Sequence, residues 1–270
     1  MKEIDMKTIW EVPRYLPYVQ PPLTDAILRD AEMRLGYSLP KAYVDLLKIQ
    51  NGGYIRFSLK DSPNTIIYGI GPFFPSITDR DWTEYKDFVS YELEGLIPFD
   101  GDGHWYICLD YRGNKTEPAI TFIDTECDSE EKIANSFYDY LTLLEIDTER
   151  EYVIETELVI IEIVDQIASL ANIVFEAPDS FASGYPVYRT KYKEIWVWVI
   201  PNNVPAGFIR KADDRYEELK SFMETYAFRY PEISETSLLI SVSDEAPRLE
   251  LFTLLEKNGI VIKALADLVK

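Results

Sequence analysis

The chain has 270 residues, room for two domains, and at 47% hydrophobic and 27% charged it has the balance of an ordinary soluble globular protein. A net charge of −20 works against binding nucleic acid or anionic lipid, and no run reaches the roughly 18 apolar residues of a membrane span. Two cysteines, Cys108 and Cys127, are too few for a disulfide framework, and the charged N-terminus has no secretory apolar region, so a cytoplasmic setting is expected.

Residues 1–22 read as an irregular arm anchored by Trp10, with prolines at 13, 17, 21 and 22. Thr24 predicts a helix N-cap, with Leu23 stapling against Leu28. Leu28, Ala31 and Leu35 make its apolar stripe, and Gly36 stops it. Pro40 suits the first turn of a second helix, whose inner face is Tyr43, Leu46 and Leu47 and which Asn51-Gly52-Gly53 closes. The spacing is that of a short helix–turn–helix, but the charge is wrong for DNA and no basic recognition face follows.

Tyr54–Leu59 and Thr65–Tyr68 read as strands around an Asp61-Ser62-Pro63-Asn64 turn. Gly69-Ile70-Gly71-Pro72 lacks the third glycine of a dinucleotide fingerprint and reads as a bend or bulge. The centre of the chain is a predicted hairpin: His104–Tyr111 and Ala119–Ile123 are rich in aromatic and β-branched residues. In the first run Trp105, Ile107 and Leu109 point one way, and His104, Tyr106, Cys108 and Asp110 the other. Ser129 is expected to cap a helix favoured by Glu130 and Glu131 in its first turn, with Ile133, Phe137, Tyr140, Leu141 and Leu144 as its buried stripe. The charged segment Glu145–Glu151 marks the boundary between a first domain, 1–148, and a second, 149–270.

The second half reads as a small α/β domain, a sheet covered by helices. Leu158, Ile161, Val164, Ile167 and Ala171 fit a helix, though their β-branched density leaves a strand start at Leu158 open. Ile173–Phe175, Ile195–Ile200, Leu238–Val242 and Ile260–Ile262 read as strands. Leu219, Phe222, Met223, Tyr226 and Tyr230 make a helical stripe, and Pro247 opens a last helix that Gly259 closes.

No catalytic motif emerges, and no cofactor or metal is expected. His104 is the only histidine; Cys108 stands four residues further along the same strand face, roughly 13 Å away, too far for a thiol–imidazole pair. Asp100-Gly101-Asp102-Gly103 starts like a calcium loop, but His104, Trp105 and Tyr111 occupy positions that need ligands or glycine, so a tight turn is the better reading. Asp179 with Glu194-Ile195-Trp196 has the outline of a nuclease metal site, with tryptophan where lysine is needed. Tyr188, Tyr192, Trp196 and Trp198 form an aromatic group that serves either core or contact.

Residues from about 20 to 145 resemble the SUKH superfamily, which includes the fungal Smi–Knr glucan-synthesis regulators. The resemblance rests on an ordered set: Leu35, Leu39-Pro40, Tyr43, Leu46-Leu47 and Asn51-Gly52-Gly53, then Gly69 and Gly71, then Leu96-Ile97-Pro98-Phe99. Gly101-Asp102-Gly103-His104-Trp105-Tyr106, Leu109-Asp110-Tyr111-Arg112, and a closing Ile133-Ala134, Ser136-Phe137 and Leu141 complete it. It implies an α+β fold, a curved sheet flanked by helices. It also implies a non-catalytic binding protein: bacterial members are mostly immunity proteins that block secreted toxins, often nucleases, and fungal members are signalling hubs. It does not extend to residues 151–270.

A nuclease toxin presents a basic face to phosphate, so an inhibitor covering that face should be acidic and rich in rings. Asp79, Asp81, Glu84, Asp87, Asp100, Asp102, Glu126 and Asp128 supply charge, and Trp82, Tyr85 and Tyr91 interleave with it. These eleven are the expected contacts with a basic protein partner; the bland alternative is a solvated acidic loop. Two rival readings are a regulatory scaffold whose second domain chooses the partner, and an enzyme in residues 151–270 built on Asp179 and Glu194.

Overall fold

A computed structural model of the chain describes residues 5–60, 65–79, 81–179 and 184–269. The expected Asp61–Asn64 turn lies outside them. The chain divides into two compact units, Met1–Ile146 and Asp147–Lys270.

After a 3-10 turn at Leu16–Tyr18, the first unit has two helices, α1 (Asp25–Leu35) and α2 (Lys41–Ile49). Thr24 caps α1, its hydroxyl accepting the Ile27 amide at 3.3 Å, and Gly36 ends it at φ +78°. Tyr43, Val44, Leu46 and Leu47 form the buried face of α2. In place of the two longer strands expected next, two short ones pair, β1 (Gly53–Tyr54), which starts one residue before the expected Tyr54, with β2 (Ile66–Ile67).

Four antiparallel strands follow in sheet order: β3 (Leu96–Gly101), β4 (Trp105–Asp110), β5 (Ala119–Asp124) and β6 (Ser129–Ala134). One face, with Ile97, Phe99, Ile107, Leu109 and Ile120, joins the helices in the main core. The other face is also covered. Leu96, Cys108 and Ile123 pack with Leu93, and Trp82, Tyr85, Val89, Tyr91 and Tyr106 lie against them. Arg112 bridges Asp110 and Glu130 near one end of the sheet, at 2.7 Å to each.

The helix expected from Ser129 is instead the edge strand β6, and α3 spans only Phe137–Leu143. The cap is Ser136, whose hydroxyl accepts the Asp139 amide at 3.1 Å. Asp128 at φ +49° turns the chain back, and Ser129–Ala134 then completes the β5 ladder. The exposed Glu130, Glu131 and Lys132 suit a solvated edge strand as well as a helix start, and pairing with β5 decides between them.

The second unit is built on a five-stranded sheet. In chain order its strands are β7 (Glu151–Glu155), β8 (Tyr188–Tyr192), β9 (Ile195–Pro201), β12 (Leu238–Val242) and β13 (Val261–Ala264). A separate pair, β10 (Asn203–Pro205) and β11 (Tyr226–Phe228), lies between β9 and β12 in sequence. Sheet order is β13-β7-β12-β9-β8, antiparallel throughout. Helices α4 (Ile160–Ala171) and α6 (Glu245–Lys257) bury Ile163, Val164, Ile167, Leu251 and Leu255 against Ile154, Val197, Val199 and Ile240. The ambiguity at Leu158 thus resolves as a helix beginning two residues later.

Two expectations for this unit fail. Ile173–Phe175 forms no strand, although Val174 accepts a hydrogen bond from the Thr190 hydroxyl at 2.7 Å. The stripe from Leu219 to Tyr230 is not one helix. A single α-turn, α5 (Tyr216–Leu219), and a 3-10 segment give way to β11, leaving Phe222 53% and Tyr226 71% exposed. Pairing with β10 outweighs the helical spacing, and Asn202 fixes the exit by accepting the Tyr230 amide at 2.9 Å.

Candidate partner-binding cleft

A cleft of about 770 Å³ opens in the first unit, around the β3–β4 hairpin. Asp102 makes the hairpin turn: its carboxylate accepts the amides of His104 at 2.9 Å and Trp105 at 3.2 Å. Burial alone would raise its pKa, but these amide bonds and the nearby imidazole outweigh it and hold the group below the usual carboxylate range.

The segment after Asp79 is pinned to the sheet by its rings. The Trp82 indole donates to the Leu96 carbonyl at 3.1 Å, and the Tyr85 hydroxyl donates to the Gly103 carbonyl at 3.0 Å. Trp82, Tyr85 and Tyr106 pack edge to face, with centroids 5.2 to 6.0 Å apart. Tyr18, Tyr54 and Phe74 form a separate ring group that also lines the cleft, Tyr18 and Tyr54 being 5.3 Å apart. Phe74 is 70% exposed. Tyr68 and Trp105 complete a lining of eight aromatic residues.

Five acids share that lining: Asp79, Asp81, Glu84, Asp100 and Asp102. No basic residue stands among the described residues that line it. Burial pushes the Asp79 carboxyl up, against the pull of Arg34, whereas hydrogen bonds from Thr83 hold Asp81 low. Asp100 differs from the rest in being only 1% exposed. Burial drives its pKa well up, although amides of Ile66, Gly101 and Thr65 favour the charged form. Its position follows from a bulge in β3, where the register slips between Pro98 and Asp100. An unbroken ladder would set Asp100 opposite Tyr106; it stands opposite Ile107.

Seven of the eleven expected contact residues therefore meet in one place: Asp79, Asp81, Trp82, Glu84, Tyr85, Asp100 and Asp102. Four lie outside the lining. Asp87 is exposed, Asp128 accepts the Ser90 amide at 2.6 Å, and Glu126 pairs with His104 at 2.7 Å. Tyr91 donates to the Asp124 carbonyl at 3.2 Å, and burial, with Asp128 nearby, lifts its phenol to about 12. Trp82, Tyr85 and Tyr91 thus anchor their own loop as well as line or flank the cleft. The sequence reading did not count Tyr18, Tyr54, Tyr68, Phe74, Trp105 and Tyr106 as contacts; for the first four the only signal was the overall richness in aromatic residues.

The other constellations do not assemble. Cys108 is buried inside the sheet while His104 is exposed. Asp179 bridges to Val187, just before β8, and Glu194 sits in the turn after it, roughly 20 Å along the strand. Among the described residues no group of His, Cys, Asp and Glu is placed to hold a metal ion, and no helix is long and apolar enough to cross a membrane.

Residues 22–143 match the model of the SMI1 / KNR4 family (SUKH-1), from just before α1 to the end of α3. The likeness read from the sequence thus holds over that region. No curated protein matches the chain.

Proposed function

We propose that this protein, with a SUKH-1 domain as its first unit, is a non-catalytic binding protein of the immunity type that blocks a basic toxin domain, of nuclease kind, in the cytoplasm. One observation carries the reading: a cleft with five acids and eight aromatic residues in its lining and no described base among them. A nuclease surface shaped to hold phosphate is cationic, and an acidic cleft speeds encounter with it. Ring faces add contact area at low entropic cost once the charges have met.

The test is co-purification with the toxin domain encoded beside the gene, at low and at high salt. Tight binding at low salt that weakens as salt rises supports the reading. Absence of binding at low salt overturns it.

A second reading has its own support. The second unit has a sheet and core of its own, which suits a scaffold whose partner choice lies there. Protection by residues 1–146 alone favours the first reading, and loss of protection with the fold intact favours the second.

A further inference from the structure

We propose that the ring-walled cleft receives an extended, proline-containing segment of the partner with a basic residue beside it. The inference deepens the docking role and rests on it.

Two sets of rings line the cleft, Tyr18, Tyr54 and Phe74 in one and Trp82, Tyr85 and Tyr106 in the other. None of the six is buried: Phe74 is largely exposed and the other five are half-buried, so ring surface stands open to a ligand. Both sets are fixed before any ligand arrives. The buried Gln20 side chain accepts the Phe73 amide at 3.1 Å and donates to the carbonyls of Phe73 and Pro75, which holds the backbone on both sides of Phe74. The bonds from Trp82 and Tyr85 to the sheet do the same for the second set. Rings that need no ordering on binding lose little entropy to it.

The polar atoms of these walls are already engaged. The Trp82 indole and the hydroxyls of Tyr68, Tyr85 and Tyr106 all bond within the protein. The walls therefore offer apolar ring surface and few partners for a peptide backbone. A polyproline-type segment matches that surface: proline has no N–H to satisfy, its side-chain ring packs on aromatic rings, and the segment is extended before it binds. Addition of a strand to β3, which lines the cleft through Pro98 to Gly101, fits less well. That edge is taken at Phe99, whose carbonyl accepts the Tyr68 amide at 2.7 Å.

Charge decides what stands beside the prolines. Asp79, Asp81, Glu84 and Asp102 are exposed on the same lining, with no base among its described residues, so a cationic flank is attracted there and an acidic one repelled.

The bland account of the rings is that they pack loops onto the sheet. It covers Trp82, Tyr85 and Tyr106, which lie against Leu96 and Cys108. It does not cover Phe74, a large ring left mostly in solvent on a loop that a buried side chain holds in place.

The experiment uses the full chain and three blocked hexapeptides: five prolines then arginine, five alanines then arginine, and five prolines then glutamine. The indole N–H signal of Trp82 reports occupancy by NMR. The expected result is saturable shifts with the proline–arginine peptide, and binding weaker by about tenfold when alanine replaces proline. Glutamine in place of arginine should weaken it by about threefold at low salt. Phe74→Ala, at an exposed position, should weaken the proline–arginine peptide by about fivefold or more and remove most of its advantage over the alanine one. Asp81→Asn should weaken the arginine peptides by about twofold and leave the glutamine peptide unchanged. Absence of shifts, equal binding of the proline and alanine peptides, or undiminished binding in Phe74→Ala overturns the inference. Equal binding of the arginine and glutamine peptides overturns it as well, because the basic flank is part of it. A toxin domain that binds Phe74→Ala as tightly as the parent overturns the proline site and leaves docking standing. A toxin domain that does not bind the parent overturns docking, and the hexapeptides still decide the site.

Discussion

Asn51 holds Ile70 by both backbone groups: its Oδ1 accepts the Ile70 amide and its Nδ2 donates to the Ile70 carbonyl, each at 2.8 Å. The same Nδ2 reaches the Pro21 carbonyl at 2.6 Å, so one buried amide ties the end of α2 to two loops. Gly69 and Gly71 flank the contact because nothing larger fits. A Cβ at Gly69 would meet the Asn51 carbonyl oxygen at 2.4 Å, and one at Gly71 would meet the Gln20 side chain at 2.2 Å. Asn51→Ala should cost about 3 kcal/mol in urea denaturation, since several buried polar groups lose their partners. Asn51→Asp should not rescue it, because a carboxylate cannot donate to the two carbonyls.

The cleft depends on the ring-pinned loop keeping its place. Tyr85→Phe removes the bonds to the Gly103 carbonyl and the Tyr106 hydroxyl while keeping the ring, and should cost about 1 kcal/mol. Hydrogen exchange should quicken in residues 81–91 and stay unchanged in α1 and α2. Faster exchange throughout the first unit would show that the loop is not an independent flap on the sheet.

Asp100 and its neighbours push stability in opposite directions with pH. Burial raises the Asp100 pKa, so the folded form holds that proton more tightly than the unfolded chain. Its contribution is present below the ordinary value of 3.8 and is lost as pH rises through the folded value. Asp102 and Asp110 are held low in the folded state, so their contribution is present above 3.8 and is lost as pH falls through their folded values. Asp100→Asn should therefore flatten the decline in stability on the higher-pH side and leave the acid side unchanged. Urea midpoints measured across the pH range read both limbs; an unaltered upper limb would show that Asp100 does not titrate above its ordinary range.

The two cysteines should react very differently. Cys127 is exposed, with its thiol pKa raised by a hydrogen bond to Asp124, so it should label slowly but completely in the folded protein. Cys108 is buried in the packing between the sheet and the ring-bearing loop, and should label only on unfolding. Labelling of Cys108 that speeds up in Tyr85→Phe would identify loop release as its route.

What the residues determined unaided was local. Thr24 and Gly36 bound α1 because caps are set by side chains next to the backbone they satisfy. Alternation from Trp105 to Asp110 made a strand, and the Asp100–Gly103 run, with carboxylates and glycines at the right places, made its turn. The acid and ring content that suits a cationic partner was equally visible.

Tertiary pairing decided the rest. Ser129–Ala134 and Tyr226–Phe228 read as helix by their own spacing and became strands because neighbouring strands offered backbone partners. Tyr18, Tyr54 and Phe74 reached the same cleft as Asp81 and Trp82 only through folding, since residues far apart in sequence carry no local mark of their meeting. The register of Asp100 was equally hidden: one extra residue in β3 moved its cross-strand partner from Tyr106 to Ile107, and such a slip exists only between two strands.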